Sequence, residues 1–156
     1  MENFLVSLES ASRTLKTADH MTYITFPLIK DKRLLIKILS EIYSSVTSTI
    51  NAIIQYEYFY KRIVLHSDAA MNFRTFRERC APRFGISQED ISKIIELFSI
   101  IEKHRQSPLE FVRKDKFVIM SNNAHMDIVT VEKLKEFLII AKDMLKKVDS
   151  VVQKRG

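Results

Sequence analysis

Between Asp31 and Leu65 the chain runs without glycine or proline, and Leu35, Leu39, Ile42, Val46, Thr49, Ile50, Ile53, Tyr60 and Val64 recur at spacings of three and four. That period gathers them on one stripe of an α-helix. At about 1.5 Å per residue the helix would be roughly 50 Å long, and a stripe of that length needs several partner helices to cover it.

The flanking sequence offers those partners. Phe4, Leu8, Ala11, Leu15, Ala18 and Thr22 predict a first helix. Pro27 is expected to close it, because proline lacks an amide donor and disfavours helical geometry just before it. The short connection from Pro27 to Lys30 then makes the first two helices antiparallel neighbours. His66 to Asn72 reads as a loop, followed by a short helix with Phe73, Phe76 and Cys80 on one side and Arg74, Arg77, Glu78 and Arg79 on the other, ended by Pro82. Ser87 with Gln88, Glu89 and Asp90 is a helix start, its hydroxyl set to cap and its acids set against the helix dipole. Ile91, Ile94, Ile95, Phe98 and Ile101 carry that helix to about Arg105, where Ser107 and Pro108 break it. Phe117 to Met120 and Ile128 to Val131 favour strand, with turn formers Ser121, Asn122 and Asn123 between them, so a small β-hairpin is expected here. Thr130 is a cap for a last helix with Val131, Leu134, Phe137, Leu138, Ala141, Leu145 and Val148 inward. The expected fold is mainly all-α: an up-and-down four-helix bundle with a short extra helix and a small β-hairpin before the last helix, forming a single domain over residues 1–156.

Composition narrows the function classes. Two glycines and three prolines are too few for a turn-rich β fold. One cysteine, Cys80, excludes an internal disulfide and a zinc site of several thiolates. Glu2, Glu9 and Arg13 interrupt the start, so no signal peptide is expected, and Lys37, Glu41 and Asn51 interrupt the most apolar segment. A soluble, cytoplasmic protein without membrane association is the expectation. Gly-rich phosphate loops, Gly-x-Ser-x-Gly and His-x-x-x-His or Cys-x-x-Cys spacings are missing, so no cofactor and no metal are expected. A formal net charge of +6 and a pI near 9.4 agree with an anionic partner.

Lys103, His104, Arg105, Arg113, Lys114 and Lys116 surround a proline-broken turn with Phe111 and Phe117 interleaved. Cations among aromatics bind phosphates and stack bases, whereas solvated lysines over a plugged bundle end would do neither. Arg74, Arg77, Arg79 and Arg83 form a second basic cluster. Glu57 falls on the apolar stripe of the central helix, where an ionised carboxylate must be paired, hydrated or protonated. Asp19 and Glu102 are the candidates to share a buried polar centre with it, with Arg105, Arg113 or tyrosine hydroxyls as partners. Cys80, between Arg79 and Arg83, is either an activated thiol or a small core residue, and its spacing to Phe76 favours the second.

The segments Ala18-Asp19-His20-Met21 with Pro27, Tyr56-Glu57-Tyr58, Cys80-Ala81-Pro82-Arg83, Ser107-Pro108-Leu109-Glu110-Phe111 and Arg113-Lys114-Asp115 resemble a family of small uncharacterised archaeal helical proteins, a likeness that extends over nearly the whole chain. That family brings no assigned activity. The bundle is also similar in outline to the HEPN superfamily, several members of which are metal-independent ribonucleases using an Arg and a His with four to six residues between them. Arg13 and His20 have that spacing and share a helix face, but the face lies nearly opposite the apolar stripe. Three readings follow: a non-catalytic binding module for an anionic partner such as RNA, working through the basic turn; a HEPN-like metal-independent ribonuclease; and a bundle that functions only through protein contacts, for which a homodimer is one form.

Overall fold

The computed structural model describes residues 3–107, 109–113, 116–120 and 126–155. Four long helices dominate it: α1 (Asn3–His20), α3 (Leu34–Phe59), α5 (Gln88–Gln106) and α6 (Val131–Arg155). Two short ones, α2 (Phe26–Ile29) and α4 (Ala69–Thr75), lie between them, and strands β1 (Leu109–Arg113), β2 (Lys116–Met120) and β3 (Met126–Val129) precede α6. The expected bundle is therefore observed. The expected hairpin is present as β2-β3, and β1 extends it to a three-stranded antiparallel meander in the order β1-β2-β3, with Arg113 opposite Lys116 and Phe117 opposite Val129. Residues 114, 115 and 121–125, including the turn formers named above, lie outside the described residues.

Helix directions follow from side-chain pairings. Ser45 Oγ donates to Ala11 O at 2.9 Å, and Ser7 Oγ donates to Gln55 Oε1 at 3.0 Å, so α1 and α3 run antiparallel. Lys93 reaches Glu136 at 3.6 Å while Lys133 reaches Glu96 at 3.3 Å, which sets α5 and α6 antiparallel as well. One hydrophobic cluster takes side chains from all four long helices, with Phe117, Ile119 and Val129 of the sheet covering part of it. No described helix is long and apolar enough to cross a membrane.

The stripes hold in part. Phe4, Leu8, Ala11, Leu15, Ala18 and Thr22 are all buried, as are Leu35 through Ile53 of the predicted central stripe. Leu97 and Ile100 are buried on α5 where Ile95 was expected, and Met144 is buried on α6 with Leu145 only partly so. Ser87 and Thr130 cap as expected, accepting from Asp90 N at 3.1 Å and Lys133 N at 3.2 Å.

Four boundaries differ, each for a local reason. Pro27 does not end the first helix. The chain widens into a π-helical turn over Met21–Thr25, in which Phe26 N–H bonds to Met21 C=O five residues back. That wider turn shifts the carbonyls with which the proline ring would otherwise collide. Helix geometry continues through α2 until Lys30 turns left-handed at φ 58. Pro82 likewise sits inside a 3-10 turn, Ala81–Phe84, that continues a π turn over Phe76–Cys80, and Gly85 at φ 71 stops the run. Asp68 caps α4 by accepting from Ala70 N at 2.9 Å, so helix begins inside the segment expected to be loop.

The fourth difference matters most. α3 ends at Phe59 rather than Leu65, leaving Tyr60 37% and Val64 68% exposed. Lys61 adopts φ 59, its N–H bonds to Tyr58 C=O at 2.9 Å, and Arg62 N–H bonds to Glu57 C=O at 2.9 Å. These are the paired bonds of a Schellman stop, which normally carries a hydrophobic contact between its two outer residues. Here the outer residues are Glu57 and Arg62.

Candidate functional site: a buried carboxylate between two arginines

Glu57 belongs to the inward face of α3, with Tyr56 beside it, and its side chain is only 2% exposed. The helix stop brings Arg62 back over it, so that Arg62 Nε donates to Glu57 Oε2. From the 3-10 turn after Cys80, Arg83 Nε reaches Glu57 Oε1 at 3.4 Å. The Arg62 guanidinium also lies over the rings of Tyr56 and Tyr60, at 5.6 and 5.1 Å from their centroids. Its pKa is raised, chiefly by the hydrogen bond to Glu57, so the cation is held charged. The same end of the bundle carries an aromatic cluster: Phe4 packs edge-on against Tyr56 at 5.3 Å and Phe59 at 5.7 Å, and Phe84 against Tyr56 at 6.1 Å.

Two cations on one carboxylate leave positive charge over. Lys61 and Arg79 are exposed and Arg77 is half-buried, and among the described residues none of the three has a carboxylate in ion-pair contact. Arg74 is neutralised by Glu78 at 3.0 Å. Tyr58, Phe59 and Tyr60 are 52, 54 and 37% exposed immediately before Lys61, so aromatic faces and unpaired cations share one end of the bundle. An array of that kind can hold phosphates and stack rings.

The basic turn is a weaker array. Lys103 pairs with Asp127 at 3.0 Å, and His104 Nδ1 is 2.5 Å from Glu110 Oε2. Arg105 lies 4.0 Å from Glu102 and stacks over Tyr43 at 5.1 Å. Lys116 is exposed; Lys114 and the side chain of Arg113 lie outside the described residues. The carboxylates that contact His104 and Lys103 come from β1 and β3, elements whose approach to the end of α5 had no sequence signal.

The three acids do not share a centre. Glu57 is buried, whereas Glu102 is exposed and hydrogen-bonded by Gln106 at 2.6 Å, and Asp19 pairs with Lys142 at 2.5 Å near the far end of α1. Phe4 marks the Glu57 end of α1, so Asp19 lies about 20 Å away along that helix. The expected polar centre thus reduces to Glu57, because the α5 face that turns inward is Leu97, Ile100 and Ile101 rather than the one bearing Glu102. Its arginines among the described residues are Arg62 and Arg83 rather than Arg105, and the side chain of Arg113 lies outside the described residues. No group of three His, Cys, Asp or Glu among the described residues is placed to hold a metal. Arg13 and His20 are both exposed on the solvent side of α1.

Cys80 is fully buried, and burial first, with the Glu57 charge second, pushes its pKa from 9.0 up to about 11. Arg83, Arg79 and Arg62 pull the other way without reversing it. The thiol is a core group, not an activated nucleophile. Because its folded pKa lies above the unfolded one, its contribution is complete below pH 9.0 and fades as pH rises towards about 11. Stability in urea should therefore fall more steeply between those values in the wild type than in Cys80→Ala. Parallel curves over that window would contradict the buried, neutral thiol.

Comparison with protein-family models and with curated proteins finds no match for this chain.

Proposed function

We propose that this protein is a non-catalytic binding module for an anionic partner, single-stranded RNA in the first instance, and that its contact face is the Glu57 end of the bundle. The observation that carries the reading is the exposed run Tyr58, Phe59, Tyr60, Lys61 beside the Arg62–Glu57–Arg83 cluster, with Arg77 and Arg79 in no ion pair among the described residues. Aromatic faces accept bases of any identity, at about 1–3 kcal/mol each, while cations hold the backbone. Glu57 fixes Arg62 in place, so that guanidinium is ordered before a ligand arrives, and preorganised donors lose less entropy on binding. The basic turn serves this reading less well, since Lys103 and His104 already have carboxylate partners.

The test is the salt dependence of binding to a short single-stranded RNA of mixed sequence. Each phosphate contact adds about 0.7 to the magnitude of the log–log slope. Replacing Lys61, Arg79 and Arg83 together with Ala should reduce that slope and weaken binding across sequences, because phosphate contacts position without specifying. Replacing Lys103, Lys114 and Lys116 removes the same formal charge and should do markedly less. Equal losses would reduce the effect to attraction by a basic surface, and a greater loss from the second set would move the site to the turn.

A further inference from the structure

A concave feature lies between α3 and α5, running from Ser40 to Gln55 along α3 and reaching Leu65 and α4. Two adjoining cavities of about 470 and 610 Å³ share Tyr43 and Thr47. Their polarity is graded along α3. The first is lined by Ser40, Ser44, Thr47, Ser48 and Arg105, the second mainly by Ile50, Ile54, Leu65, Phe73 and Phe98, with the amides Asn51, Gln55 and Asn72 also on its wall.

The junction carries an unmet polar group. Thr14, Thr17, Thr22, Thr49 and Thr75 each donate to the carbonyl four residues earlier, the usual resort of a hydroxyl inside a helix. Thr47 does not: its Oγ1 is buried and without a hydrogen-bond partner among the described residues. Buried polar atoms left unsatisfied are uncommon and call for a specific cause. Arg105 lines the first cavity, stacked over the shared Tyr43 at 5.1 Å, and among the described residues its carboxylate contact is Glu102 at 4.0 Å, which leaves guanidinium donors available. His104, by contrast, is held by Glu110.

We propose that this cleft binds an amphipathic carboxylate of medium chain length, its apolar body among Ile50, Ile54, Phe73 and Phe98 and its head between Thr47 and Arg105. An apolar chamber ending at a hydroxyl and a cation matches such an acid at both ends. A neutral polar ligand would leave the Arg105 donors unused, and a cation would be repelled. Pockets of this volume lined by apolar groups with a few placed polar ones are typical small-molecule sites.

Decanoate, decanol and decyltrimethylammonium, each below its micellar concentration, provide the test, with amide NMR shifts as readout. Decanoate should bind saturably and perturb residues on both sides of Thr47, decanol should bind about tenfold more weakly, and the cation weaker still. Arg105→Gln should bring decanoate down to the affinity of decanol, and Thr47→Val should weaken it severalfold. Ala70→Phe, at an exposed position on the wall of the apolar chamber, should block decanoate and decanol alike while the remaining spectrum stays native. Equal affinity for the acid and the alcohol, undiminished binding in Ala70→Phe, or no saturable binding would overturn the proposal. RNA binding at the Glu57 end is unaffected by any of these outcomes, so the two readings fail separately.

Discussion

Arg62→Met is expected to destabilise the fold by about 3 kcal/mol, more than Glu57→Gln, although Arg62 is the more exposed partner. Breaking a buried ion pair typically costs about 3–5 kcal/mol because the group left behind cannot reach water. Glu57, 2% exposed, is the group that cannot; Arg62, 22% exposed, can rehydrate when its partner is neutralised. Arg83 remains at 3.4 Å in the Arg62 variant and keeps the cost near the lower end. Loss of the stacking over Tyr56 and Tyr60 adds about 0.5–1 kcal/mol. Glu57→Gln should cost about 1 kcal/mol, the scale of a hydrogen bond that solvent can partly replace. Combining Glu57→Leu with Arg62→Met should recover most of the stability, since an apolar pair of similar volume avoids the desolvation of both charges. Urea unfolding midpoints give all three values. If the double variant is less stable than Arg62→Met alone, the pair itself, rather than the stranded carboxylate, holds the helix end.

Ile53→Asp should be more damaging still. Ile53 is completely buried on α3, so the change removes an aliphatic side chain worth about 1.5–3 kcal/mol of burial and leaves a carboxylate there with no partner placed to receive it. A loss of at least about 4 kcal/mol is a large share of the 5–15 kcal/mol typical of a domain. The variant should be mostly unfolded by circular dichroism near neutral pH. Ser44→Asp, on the exposed side of the same helix, should stay within about 0.5 kcal/mol of the wild type. Matching thermal midpoints would mean that the buried face of α3 has been misassigned.

What the sequence disclosed follows from how locally each feature is encoded. Helix starts at Gln88 and Val131 were legible because Ser87 and Thr130 cap through atoms three residues away. The stripes of α1 and of the first half of α3 were legible because a 3.6-residue period repeats many times over them. Both proline boundaries were misplaced, since each proline is absorbed by a neighbouring π or 3-10 turn that no residue pattern announces. The stop at Phe59 was hidden for a subtler reason. Lysine rarely takes a positive φ, so Lys61 carries no glycine-like signal, and the apolar period runs on past it to Val64. Glu57 stood out as a charge on an apolar stripe. Its partners did not, because Arg62 arrives through that unsignalled turn and Arg83 from a separate segment. The contacts of Glu110 and Asp127 with His104 and Lys103 were equally out of reach, as they depend on how the sheet folds against α5.

The most direct test of the proposed function is where RNA touches the protein. A short oligonucleotide carrying 4-thiouridine, crosslinked with long-wavelength light and mapped by mass spectrometry, reports the side chains that stack on its bases. Crosslinks concentrated at Tyr58, Phe59 or Tyr60, and lost at high salt, are the predicted result. Crosslinks at residues 103–120, or spread evenly over the basic surface, would contradict the placement of the contact face at the Glu57 end of the bundle.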